Sequence, residues 1–242
     1  SYPYVYAEEK TGECIEELKD YSEDSIPVLS NDNKILGVIT AQDLVEAVDE
    51  EMGDDYAKLA GLTAEEDLNE PFKDSVKIRL PWLLLLLVLG LVVSSVVSIF
   101  EGVVQQITLV VAFQSLILDM AGNVGTQSLA VTIRVIMDEA LSKKDERKLI
   151  FKEMRVGFTN GMILGVLAFV AIGVYILVFK GKSVPFSFSV SGCIGISLLF
   201  AMVVSSLVGT VVPLFFKKIK IDPAVASGPI ITTVNDLVAV VS

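Results

Sequence analysis

Histidine is absent from this 242-residue chain, and cysteine occurs only at Cys14 and Cys193. The commonest transition-metal ligand is therefore missing, and neither a disulfide framework nor a cysteine-based zinc site can be built. What remains is oxygen chemistry, which suits hard cations such as Mg²⁺ or Ca²⁺. Basic side chains are scarce where acids are dense: residues 1–74 hold 21 of the 30 acids but only five of the 19 Lys and Arg. That deficit argues against nucleic acid as a partner, because binding it requires Lys and Arg to displace phosphate counterions. Ser1 to Lys10 has no basic stretch followed by an apolar one, so it carries no signal-peptide pattern, and the expectation is a chain that begins mid-protein.

What the chain has in excess is apolar surface. Hydrophobic residues make up 52%, too many for an ordinary soluble domain of this length, so a membrane protein is expected. Five apolar segments, near 80–100, 103–137, 156–179, 190–216 and 221–242, predict an all-α polytopic domain over residues 77–242. Pro81-Trp82 anchors the first entry at the interface. Bases gather before the first segment (Lys73, Lys77, Arg79), in the 138–155 loop and in the 217–220 loop, which predicts a cytoplasmic N-terminus. The fifth segment stays apolar almost to its end, and a truncation there is expected too.

The acidic N-terminal part reads as helix (Gly12–Tyr21), strand (Ser25–Leu29), turn (Asn31-Asp32-Asn33), strand (Ile35–Ile39) and helix (Ala41–Val48). Ser25-Ile-Pro-Val-Leu29, Leu36-Gly-Val-Ile-Thr40 and Asp43-Leu44 resemble the last of a pair of CBS repeats, small α/β regulatory modules. Residues 1–48 are assigned to that repeat and 49–76 to an acidic connecting helix, helix-competent around Met52–Leu62 and ended by Pro71.

Two polar islands interrupt the apolar segments. Asp236 lies fourteen residues, about 21 Å at helical rise, beyond Asp222, well inside a bilayer. An ionisable group there is costly unless it meets protein, water or a cation. Thr232, Thr233 and Asn235 surround it, and Gly228-Pro229 is expected to break the helix and free backbone carbonyls. In the second segment, Asp119, Gly122, Asn123, Gly125, Thr126 and Gln127 are expected to form another break. A protonated Asp236 bonded to a neighbouring helix, and close packing by the small residues, are the plainer readings. Rows of small residues at Gly157, Gly161, Gly165 and at Ala201, Ser205, Gly209 read as packing faces, and Arg134 and Glu153 as residues serving the cytoplasmic ends of their helices, by snorkelling or pairing, without a transport role.

Gly122-Asn-Val-Gly-Thr-Gln-Ser128, Glu153-Met154, Asp222-Pro-Ala224, Gly228-Pro229 and Asp236 together resemble, in order and spacing, the MgtE family of magnesium transporters. The resemblance implies a homodimer in the cell membrane with five transmembrane helices per subunit and an ion path along the dimer interface. In that path Asp236 of each chain would hold hydrated Mg²⁺, with Gly122, Gly125 and Thr232 beside it. It also implies that Asp43, Glu46, Glu51, Asp54 and Asp55, with Asp222, bind regulatory cytosolic Mg²⁺ that closes the pore. Without the resemblance, the acids at Asp43, Glu46, Glu50 and Asp54 read as a solvated face of mutually repelling charges. Asp119 departs from the small residues such a motif leads one to expect, and its role as pore lining, helix contact or bystander is open. Two rival readings are a proton-coupled divalent cation carrier with Asp236 titrating, and an intramembrane aspartyl protease using Asp119, Asp222 and Asp236. The protease reading lacks its Gly-x-Gly-Asp motif.

Overall fold

A computed structural model describes residues 3–9, 14, 25–59, 62, 71–104, 108–138 and 141–241. The chain forms two compact units, Ser1–Ser75 and Val76–Ser242.

In the first unit, β1 (Val5–Tyr6), β2 (Ser25–Leu29) and β3 (Ile35–Thr40) form a sheet in that order, β1 parallel and β3 antiparallel to β2. The β2–β3 turn works because Asn33 adopts φ 57°, the left-handed region that Asn tolerates, while the Ser30 N–H donates to the Lys34 carbonyl at 2.8 Å. Val5 and Ile26 make a small core with Cys14, Val28, Ile39 and Leu44. The expected helix at Gly12–Tyr21 lies outside the described residues. Helix α1 (Ala41–Leu59) runs through residues 48 and 49, where the sequence led us to place a junction. No proline interrupts it, and its Ala, Leu, Glu and Gln residues are good helix formers.

The second unit is helical: α2 (Phe72–Val104), α3 (Thr108–Asp138), α4 (Lys143–Phe179), α5 (Val184–Lys218) and α6 (Pro223–Val241). Helices α4 and α5 form the most extensive pair, α3 packs on α5, and α6 lies against both α5 and α3. Ile117, Ala121, Ile172, Ile176, Val190, Ile194 and Ala201 form the shared core of α3, α4 and α5. Among the described residues, three helices are long and apolar enough to cross a membrane: α2 over Phe72–Ile99, α4 and α5.

Helices α2, α4 and α5 outrun their apolar segments. Helix α4 starts thirteen residues before the expected 156, because Ser142 caps it by accepting from the Asp145 N–H at 3.3 Å and the Lys, Glu and Arg residues that follow are helix formers. At the other end of α5, Lys217 donates from Nζ to the Ile136 carbonyl at 2.9 Å, serving one of the last carbonyls of α3.

Both expected helix breaks are absent. Helix α3 passes unbroken through Asp119–Gln127, and α6 continues through Gly228-Pro229. Side chains turn back onto each helix instead of unwinding it: Asn123 donates to the Asp119 carbonyl at 2.9 Å and Thr126 to Gly122 at 2.9 Å. Thr232 donates to Gly228 at 3.0 Å and Thr233 to Pro229 at 2.7 Å. A short polar side chain bonded to the carbonyl one turn back is satisfied without the backbone having to unwind.

Candidate functional site

Helix α3 has two unlike faces. Ile117, Ala121, Val124, Gly125, Ser128 and Thr132 are buried against the bundle, while Asp119, Asn123, Thr126 and Gln127 are exposed and Gly122 lies between. Helix α6 repeats the division: Ile231 and Asn235 are buried, Thr232 is exposed, and Thr233 and Asp236 are half-buried.

The two helices meet at one level. A Cβ on Gly125 would strike the Asn235 side-chain amide, and one on Gly209 of α5 would strike the Gly125 carbonyl. Gly125 is therefore a contact point of three helices, a position where only hydrogen fits. Asn235 is 2% exposed, and its Oδ1 has no hydrogen-bond partner among the described residues. Asp236, the next residue, is rotated about 100° around α6 and so emerges beside this contact on the more accessible side. Gly122 has open space where a Cβ would be. The expected pore residues Gly122, Gly125, Thr232 and Asp236 thus occupy two adjacent helices, with Gly125 in the packing and the other three toward the open face.

Sequence reasoning missed Glu153. It was expected at a helix end, snorkelling or pairing, and is instead 5% exposed and paired ten residues into α4. Ser128 of α3 lies 3.1 Å from its Oε2, Ser206 of α5 donates to its backbone carbonyl at 2.7 Å, and the two hydroxyls are 2.9 Å apart. Lys152, itself exposed, approaches Oε1 at 3.7 Å. The signal available in the sequence was the spacing of Glu153 four residues before Gly157, which puts it on the small-residue packing face. Asn235 was legible as polar, but not as the buried neighbour of Gly125.

The expected sensing acids divide between the two units. Thr40 and Asp43 form a reciprocal cap on α1: Thr40 donates its hydroxyl (2.6 Å) and its N–H (2.8 Å) to Asp43 Oδ2, and the Asp43 N–H returns to Thr40 Oγ1 at 3.2 Å. The Thr40 hydroxyl, then its N–H, hold the Asp43 carboxyl below the usual carboxylate range. Glu46 is exposed on α1; Glu51, Asp54 and Asp55 lie on the same helix, their side chains outside the described residues. Asp222 precedes α6 and accepts from the Ala224 N–H at 2.9 Å. Among the described residues, no three acidic, His or Cys side chains converge as a metal cluster.

Comparison with known proteins gives the arrangement a family. Residues 114–242 match the MgtE family model, described as a divalent cation transporter, and residues 1–50 match the CBS domain. A protein of Enterococcus faecalis named magnesium transporter MgtE is 38% identical over 228 residues, covering 92% of this chain and 47% of that one. Its namesake in Bacillus subtilis is 35% identical over 215 residues (89% and 46%), and that of Thermus thermophilus 29% over 238 (97% and 50%). The chain spans about half the length of the curated relatives it matches. With more than half of its residues, the polar faces of α3 and α6 among them, inside the matched region, the chain belongs to the MgtE family of divalent cation transporters.

Proposed function

We propose that the chain conducts hydrated Mg²⁺ across the cell membrane along a path lined by the exposed faces of α3 and α6, closed by the same faces of a second copy. All five helices α2 to α6 cross the bilayer in this reading, with the N-terminus in the cytoplasm. The observation that carries it is the polar face of Asp119, Asn123, Thr126, Thr232 and Asp236, accessible on a single chain at a depth where lipid cannot serve it. A second copy related by twofold symmetry would turn two such faces into one water-filled seam.

Asp236 is the ligand at its centre. Mg²⁺ gives up water reluctantly, so two carboxylates facing each other attract the hydrated ion without stripping it. The names of the relatives supply the choice of magnesium. Regulation follows from linkage: Mg²⁺ bound at Asp43, Glu46, Glu51, Asp54, Asp55 and Asp222 only in a closed arrangement stabilises it, and its loss lets the carboxylates repel and the path open.

The test is Mg²⁺ flux into liposomes containing the purified protein, wild type against Asp236→Ala at fixed pH. Flux is expected to vanish in the variant. Equal flux in both would make Asp236 a structural residue and sink the reading.

A further inference from the structure

Asp119 stands eleven residues into α3, about 16 Å along its axis, flanked by Leu116, Ile117, Leu118, Met120 and Ala121. It is exposed, and among the described residues no cationic side chain pairs with it. Its backbone carbonyl is engaged by Asn123, which leaves the carboxylate to its surroundings. A charged group at that depth needs water or a counter-ion. Asp119 shares its face with Asn123 and Thr126, one and two turns along the helix, and Thr126 adjoins Gly125, where α3 touches Asn235 beside Asp236. Six residues separate Asp119 from Gly125, about 9 Å of helix.

We propose that Asp119 forms a second carboxylate layer of the cation path, holding a hydrated divalent cation about two helical turns from the Asp236 layer. The inference rests on the path reading above and adds a site to it. A carboxylate only accepts hydrogen bonds, and the waters of a hydrated divalent cation only donate them outward, so the ion is held through its hydration shell. Two layers at this spacing let an ion in one weaken the hold on an ion in the other, which is what a path needs to bind and yet release.

The experiment measures the Mg²⁺ concentration dependence of liposome flux for wild type, Asp119→Asn, Asp119→Glu and Asp236→Ala. Asp119→Asn is expected to raise the half-saturating Mg²⁺ roughly tenfold, the size of one carboxylate acting on a divalent ion across its water shell. It should also make flux less sensitive to added monovalent salt. Asp119→Glu, which keeps the charge, should stay near wild type. A half-saturating concentration unchanged in Asp119→Asn, whether or not maximal flux falls, overturns the second layer, as does equal impairment by Asn and Glu. Flux that survives Asp236→Ala overturns the path reading itself, a separate result.

Discussion

Two helix pairs of the same bundle use small residues to opposite ends. Between α4 and α5, Gly165 and Gly195 face each other so closely that a Cβ on either would lie 2.8 or 2.7 Å from the other's carbonyl oxygen, and Gly157 and Gly161 abut Ser206 and Leu199. Between α3 and α6, Gly125 is just as tight, yet Gly122, one turn away, borders open space and a row of polar groups. In the first pair glycine removes side chains so that backbones can attract one another through dispersion and weak carbonyl contacts. In the second it removes them to keep a polar surface clear. Helical spacing of small residues does not distinguish the two uses; the company they keep does, apolar around Gly165 and Gly195 (Leu164, Val166, Ile194, Ile196) and amide or carboxylate around Gly122 (Asp119, Asn123).

The comparison can be broken most forcefully at Gly195. Replacing it by Leu drives a branched side chain into the Gly165 backbone, and a loss of about 3 kcal/mol or more is expected, read as a lower thermal midpoint in detergent. An unchanged midpoint would show the α4–α5 contact to be dispensable. Glu153→Ala should cost about 1 to 2 kcal/mol, since it leaves Ser128 without its carboxylate partner where α3, α4 and α5 meet, whereas Glu153→Gln, which keeps an acceptor, should cost less. Equal losses would mean that packing, not hydrogen bonding, holds the junction. The smallest effect on stability is expected for Gly122→Ala, within about 0.5 kcal/mol, because its Cβ meets nothing. Reduced Mg²⁺ flux in that well-folded variant would sharpen the contrast, and normal flux would remove Gly122 from the path.

Much of this architecture was written plainly in the chain. The β2–β3 hairpin announced itself through Asn31-Asp32-Asn33, because a left-handed turn position admits few residues besides Asn and Gly. The apolar segments marked the helices, but not their ends: charged residues such as Lys143, Lys144 and Arg147 leave the apolar pattern while continuing the helix. The unbroken course of α3 and α6 was illegible for a different reason. Gly122, Asn123 and Pro229 each weaken a helix locally, and the packing of α3 and α6 on α5, which no local pattern reports, overrides them. Glu153 was misplaced because its partners, Ser128 and Ser206, are 25 and 53 positions away and no local pattern links them.

The bond from Lys217 to the Ile136 carbonyl has a mechanical meaning. It fastens the last turn of α3 to the last turn of α5, whereas the first half of α3 is held by apolar and ring contacts, Ile117 and Ala121 in the core and Phe113 edge-on to Tyr175. A helix held this way cannot slide along its axis like a piston without breaking the bond. The movement left to it is a swing about the fastened end, whose arc grows with distance, so that a tilt too slight to disturb Lys217 would displace Gly125 a little and Asp119 more.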